Sequence, residues 1–147
     1  MILKKKCLEW KEWENRLSAL LQGKVVYRSG AGQIHKADVR TEEFLVEAKY
    51  TTATTYSFKS IEWNKIKREA LNVELIPLFA IKTNKYELGV MRVVDYAEIL
   101  PLDFTPCIEK KNSFAVGGTV HSAAVTFKHD GIEEELIVFP LSRLVKD

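Results

Sequence analysis

A chain of 147 residues, 46% hydrophobic and 29% charged, has the balance of an ordinary globular domain and can bury about two-thirds of its unfolded surface without staples. Disorder is excluded by that balance, and no apolar run approaches the roughly 20 residues of a membrane span. A net charge of +2 is too small to diagnose nucleic-acid binding, so the placement of charge has to decide. The basic start, Met1 to Lys6, lacks the apolar core and cleavage site of an export signal, and Cys7 and Cys107 have neither a CxxC partner nor a histidine at metal spacing. Free thiols in a reducing cytoplasm are the expectation.

From about Lys4 to Leu21, Trp10, Trp13, Leu17, Leu20 and Leu21 recur at helical spacing, and Gly23 follows as a stop. The period puts Glu12 on the solvent side and Glu14 on the edge of the apolar stripe, where a carboxylate finds a partner or snorkels to water. Val25 to Arg28 reads as a short strand, and Ser29 to Gln33 as a loop whose glycines allow close approach to a phosphate. Arg28, Ser29 and Lys36 are expected DNA contacts, with His35 adding charge; an ordinary connection fits these residues as well.

Ala37 to Lys49 reads as a β-hairpin, with Asp38 on the first arm, Arg40 to Glu43 as the turn, and Phe44, Leu45 and Val46 leading the second arm to Glu47 and Lys49. Strand alternation points Glu47 and Lys49 one way and sends Val46 and Ala48 the other way into a core. Asp38 and Glu47 on neighbouring strands supply the oxygen ligands that a hard divalent cation such as magnesium takes. Lys49 beside them would orient or deprotonate a water, or stabilise charge on a phosphate oxygen during in-line displacement, which suits phosphodiester hydrolysis. The Glu-x-Lys spacing alone also occurs on the solvated face of an amphipathic strand.

The polar run Tyr50 to Ser57 reads as a functional loop, with Thr51 touching phosphate and Tyr50 or Tyr56 packing on a sugar or base, or equally as a threonine-rich strand extension. Ser60 is a predicted N-cap and Glu62 a first-turn acid for a helix with the stripe Trp63, Ile66, Ala70 and Val73. Lys59, Lys65, Lys67 and Arg68 are expected to form a basic, DNA-contacting surface beside the site, although charged helix faces are usually just solvated. Ile76 to Lys82 reads as a buried strand reached by a crossover, so that a β-α-β unit is the structural centre. Tyr86 to Val94 follows as an antiparallel edge partner, and Asp95 as the cap of a short helix that Pro101 ends. Pro101 to Asn112 is the predicted linker. Beyond it, strands at Ser113 to Val116, Val120 to Phe127 and Glu133 to Phe139 form a small meander turning at Gly117-Gly118 and Asp130-Gly131, and Ser142 starts a last helical turn.

The pattern Asp38 … Glu47-Ala48-Lys49 resembles the PD-(D/E)xK nuclease superfamily, with Ala37 where the name has proline. Within it, the run Val25-Val26-Tyr27-Arg28-Ser29-Gly30-Ala31-Gly32 looks like the Val-Arg-Ser-x-Gly stretch of the archaeal-type Holliday junction resolvases, a resemblance covering about residues 8 to 93. It implies an α/β nuclease fold with a mixed central β-sheet flanked by helices in a restriction-endonuclease-like core over about 4–100; with the C-terminal β-meander read from the residues at about 113–147, the chain is expected to form a single nuclease domain over 1–147. In those enzymes a first-helix glutamate completes the acidic cluster three residues before a Leu-x-x-Leu-Leu run. Glu14, ahead of Leu17, Leu20 and Leu21, holds that place, and Glu9 is the alternative. The resemblance thus implies catalytic Glu14, Asp38, Glu47 and Lys49, and metal contacts at Asp38, Glu47, Ala48 and Glu14, for Mg2+ with Mn2+ as a substitute.

The implied function is a magnesium-dependent endodeoxyribonuclease, a homodimeric Holliday junction resolvase whose two-fold symmetry matches two cuts in a four-way DNA junction. It would act in the cytoplasm of a prokaryotic cell, encoded by the cell or by a phage. Val120, Val125, Phe127, Leu136, Val138 and Phe139 are the expected apolar source of the subunit interface. A repair or restriction-like nuclease of the same superfamily, and a non-catalytic nucleic-acid- or protein-binding module, are the alternatives. Cleavage of a synthetic junction and of plain duplex, with and without magnesium, separates them.

Overall fold

The computed structural model describes residues 2–27, 37–101, 104–111, 113–117, 122–129 and 131–145, with backbone alone at 2–8, 25–27, 37–38, 104–111, 113, 122–123 and 129. In chain order the elements are α1 (Ile2–Leu21), β1 (Lys24–Tyr27), β2 (Ala37–Arg40), β3 (Phe44–Tyr50), β4 (Tyr56–Lys59), α2 (Ser60–Asn72), β5 (Ile76–Lys82), β6 (Glu87–Arg92) and α3 (Val93–Ile99). Then follow β7 (Phe104–Lys111), β8 (Ser113–Val116), β9 (Ser122–His129), β10 (Ile132–Pro140) and a 3-10 turn at Leu141–Leu144.

The β-α-β unit read from the sequence is present: β3 and β5 pair in parallel from Phe44↔Ile76 to Tyr50↔Lys82, joined through β4 and α2. Helices cover both faces of this pair, which is why its strands are apolar on both sides. On one face α2 places Trp63, Ile66 and Ala70 in a cluster with Leu45, Phe79 and Ile81. On the other, α1 places Trp13 and Leu17 with Val46, Ala48, Leu78 and Ala80. The mixed sheet has eight strands in the order β1-β2-β3-β5-β6-β10-β9-β7, parallel at β3–β5 and β7–β9. A fold of the mixed α/β class with a helix-flanked sheet is what the sequence led us to expect.

Its second half is wired differently. β8 does not turn back on β9; it pairs antiparallel with β4, Tyr56 opposite Val116 and Lys59 opposite Ser113, as a separate two-stranded sheet. The meander therefore reduces to β9 and β10, and β10 docks along β6, so that β6 is an interior strand and not the expected edge. Pro101 to Asn112 is not a bare linker either, because it holds β7 on the outer edge of the sheet. Val125, Phe127, Leu136, Val138 and Phe139 are buried within the chain's own core, which removes the apolar surface assigned to a subunit interface; Val120 lies outside the described residues.

Two helix starts also differ from expectation. Lys59, and not Ser60, is the N-cap of α2, with no side-chain cap hydrogen bond. Asp95 lies inside the first turn of α3, where it receives Arg92 at 2.7 and 3.1 Å. At the end of α1, Gln22 takes the left-handed conformation (φ 55°), while Gly23 is required because a Cβ there would stand 2.7 Å from the Arg40 carbonyl oxygen. Among the described residues no helix is long and apolar enough to cross a membrane.

Candidate functional site

β3 carries the site. Its alternation sends Val46 and Ala48 toward α1, and Leu45 toward α2 together with the buried Glu47 and Lys49. An ammonium and a carboxylate taken out of water need close partners. The Lys49 Nζ lies 2.5 Å from Glu62 Oε2 and 3.5 Å from Glu47 Oε1. Glu62, in the first turn of α2, also accepts the Tyr56 hydroxyl, at 2.9 Å to Oε1 and 3.1 Å to Oε2. Burial raises the Tyr56 phenol above its usual range against the opposing pull of Lys49, and the Glu62 and Glu47 carboxylates raise it further, so the hydroxyl stays a donor.

Tyr56 and Glu62 owe their meeting to the junction of β4 and α2, whose register β8 holds. Gly117, just past β8, is required there because a Cβ would run into the Thr54 carbonyl and come within 3.1 Å of the Thr55 Cα. Of the two carboxylates that meet Lys49, the sequence marks Glu47 and not Glu62, because nothing local signals a pairing across 13 residues; Glu62 reads there as a helix-dipole acid and Tyr56, which donates to it, as a base-packing ring.

Asp38 and Glu47 occupy adjacent places on neighbouring strands. The β2–β3 ladder holds only Val39↔Val46 and Arg40↔Leu45, and each acid is the next residue beyond its end, Asp38 pairing instead with Val26 of β1. The strands part company at this point, and the Asp38 side chain lies outside the described residues.

Glu14 enters from α1. It is 4% exposed, its Oε2 accepts no hydrogen bond among the described residues, and burial, reinforced by the charge of Glu47 and opposed by Lys11, pushes its pKa to about 7. Glu9, the alternative, instead accepts the Tyr50 hydroxyl at 2.7 Å. Among the described residues no three His, Cys, Asp or Glu side chains group closely enough to hold a metal ion. The donor chemistry nonetheless fits a hard cation. Glu14 has a buried oxygen with no hydrogen-bond partner among the described residues, it feels the charge of Glu47, and Asp38 is placed on the strand adjoining Glu47.

The expected DNA contacts divide. Lys59, Lys65 and Arg68 are exposed. Lys67 is not part of that surface: its ammonium lies 3.3 Å from Glu134 Oε2, and Glu134 also accepts the Trp63 indole N–H at 2.7 Å. Thr51 is absorbed by its own turn, its N–H donating to Lys82 and its hydroxyl accepting from Ala53. Arg28, Ser29, His35 and Lys36 lie outside the described residues.

No family model, curated protein or solved structure matches this chain. The functional reading therefore stands on the residues of the site and on the motif resemblance they carry.

Proposed function

We propose that this chain is a magnesium-dependent endodeoxyribonuclease with a PD-(D/E)xK-type site in a restriction-endonuclease-like core. The observation that carries the proposal is the buried Glu14 carboxyl, with an oxygen that accepts no hydrogen bond among the described residues and a pKa raised to about 7 by burial and by the charge of Glu47, which stands two residues before Lys49. Burying a carboxyl such as that of Glu14 costs stability, and such costs concentrate at functional sites. Glu14, Asp38, Glu47 and the main chain at Ala48 would hold the metal, which when bound supplies Lewis-acid activation of water and of the scissile phosphate. Lys49 contributes a positive charge at the attacked phosphate or orients the water. Lys59, Lys65 and Arg68 offer the phosphate backbone a sequence-independent grip.

In its finer form the reading is a homodimeric resolvase of four-way junctions, acting in the cytoplasm. The motif resemblance supports it, and the chain's internal burial of its apolar C-terminal strands leaves the dimer surface to be found elsewhere. The experiment is cleavage of a synthetic four-way junction and of duplex of equal length in Mg2+, Mn2+ and EDTA, with the mass measured by light scattering. A dimer releasing paired, symmetry-related nicks from the junction is the expected result. A monomer cutting both DNAs equally removes the resolvase form and keeps the nuclease; no cutting in either metal removes both.

A competing reading treats the cluster as structural, and the 2.5 Å contact between Lys49 and Glu62 favours it. A structural ion cluster leaves no role for added metal, so absence of both cleavage and metal-dependent stabilisation is its signature.

A further inference from the structure

We infer that Lys24 and Arg40 together form a phosphate-binding point on the open face of the β1–β2 ribbon, which grips a backbone phosphodiester of the DNA. This deepens the nuclease reading and rests on DNA being the substrate. The two residues stand directly opposite one another in the antiparallel β1–β2 ladder, as the last pair at that end. Opposed positions put their Cβ atoms about 5 Å apart on one face of the sheet, where like charges repel and destabilise the ladder. Local chemistry fixes that register. Gly23 lets β1 start against the Arg40 carbonyl oxygen, which a Cβ would approach to 2.7 Å, and the Thr41 hydroxyl accepts the Glu43 and Phe44 N–H groups in the turn that follows. Val39 is buried in the cluster under α1, so alternation sends Arg40, and Lys24 with it, to the other face. Arg40 also opposes Leu45, which packs on the α2 side.

Helix α2 lies over β3 and β5, and Lys24 and Arg40 are both exposed. Among the described residues neither pairs with a carboxylate. Glu42 and Glu43, the acids of the turn after Arg40, line a cavity with Leu20, Leu21 and Leu144 on the α1 side. Lys24 alone would be an ordinary edge charge, since β1 is the outermost strand and a lysine there discourages pairing with another chain. Arg40 has no such role, because β2 is paired on both sides. An anion between the two side chains turns their repulsion into a shared attraction. A guanidinium offers a phosphate two parallel N–H donors and an ammonium adds a point charge, so the pair suits a phosphodiester. Arg40 stands two residues from Asp38 on β2, about 7 Å along the strand, so a phosphate held there is a near neighbour of the candidate site.

The test is fluorescence-anisotropy binding of a labelled four-way junction and a labelled duplex to the full chain, in Ca2+ and in EDTA, over a range of NaCl. The proteins compared are wild type, Lys24→Gln, Arg40→Gln, the double variant and Lys128→Gln. Lys128, exposed on β9 near the far edge of the sheet, controls for the loss of a charge. The double variant should bind about tenfold more weakly and show a salt slope lower by about 1, the loss of one phosphate contact. Each single variant should account for part of that loss, and Lys128→Gln for none of it. Urea denaturation midpoints of the Lys24 and Arg40 variants should equal or exceed the wild-type value, because removing either charge relieves the repulsion across the ladder. Wild-type affinity in the double variant, a loss matched by Lys128→Gln, or a lowered midpoint, as a structural role would give, overturns the inference. So does calorimetric binding of inorganic phosphate that the double variant loses while its DNA affinity is unchanged, since the pair would then serve a free anion. Wild type that binds neither DNA overturns the DNA reading and this inference together, whereas DNA binding without cleavage in Mg2+ removes the nuclease and leaves the inference intact.

Discussion

Lys49 and Lys67 both meet glutamates at helix α2, and the two clusters differ in the state of the carboxyls around them. At Lys67, Glu134 receives the ammonium at 3.3 Å and the Trp63 indole at 2.7 Å. At Lys49 the ammonium lies between Glu62 and Glu47, and Glu14 adds a further buried carboxyl that feels the charge of Glu47. An ion pair whose carboxylate also accepts a buried indole N–H fixes geometry. Surplus carboxyls in a buried place cost stability unless a proton or a cation offsets them, and the raised pKa of Glu14 is the proton doing so. The raised pKa and the oxygen without a hydrogen bond at Glu14 among the described residues, and not the presence of a buried ion pair, separate the candidate site from the Lys67 cluster.

The comparison breaks most heavily at Trp63, which is fully buried and ties the structural cluster to the core. Trp63→Ala should cost about 3–5 kcal/mol in urea denaturation, from lost burial and an unfilled cavity. A loss under 1 kcal/mol would mean that α2 does not rest on this side chain.

Glu14 is the next largest effect, and its sign is opposite to that of a paired carboxylate. The folded chain keeps the Glu14 proton up to about pH 7, whereas the unfolded chain releases it near 4.5. Between those values the folded state binds more protons, so stability is fully present below pH 4.5, falls as pH rises, and is lost above 7, by about 3 kcal/mol in all. Without metal, Glu14→Gln should flatten this fall. Added Mn2+ should restore stability to the wild type at pH 8 and not to the variant. Denaturation midpoints across pH 4 to 8 measure both.

Glu134→Gln should cost about 1–2 kcal/mol through the weakened Lys67 and Trp63 partners, without changing the rate of DNA cleavage. Joint loss of stability and cleavage would mean that the two clusters are not independent. Smallest in stability are Lys65→Gln and Arg68→Gln, within about 0.5 kcal/mol for exposed side chains. They should weaken binding to all DNA sequences alike and lower the salt slope of the affinity, as phosphate contacts do.

The same contrast explains what could be read from the chain alone. Trp63, Ile66 and Ala70 declare α2 by their spacing, and the apolar runs at Phe44–Val46 and Ile76–Lys82 declare the strands beside it, because burial imposes a period on neighbouring residues. Glu47 and Lys49 were legible as a pair for the same reason, two places apart on one strand. β8 was legible as a strand and not as the partner of β4, since pairing across more than 50 residues leaves no local mark. β7 was hidden by Pro101, Pro106 and the run Glu109-Lys110-Lys111, which on their own signal a connection. Glu62 went unrecognised because its role is set by where the β4–α2 junction lands, although a lysine on a buried strand is itself a signal that another carboxylate must be near.

The most direct test of the proposed metal site is single-turnover cleavage of labelled four-way junction DNA by wild type, Asp38→Asn, Glu47→Gln and Lys49→Ala, in Mg2+ and in EDTA. The account predicts cutting by the wild type in Mg2+ alone, a loss of at least about 100-fold in each variant, and DNA binding by Asp38→Asn as tight as or tighter than wild type. Cleavage by Glu47→Gln at the wild-type rate, or cleavage by the wild type in EDTA, would contradict it.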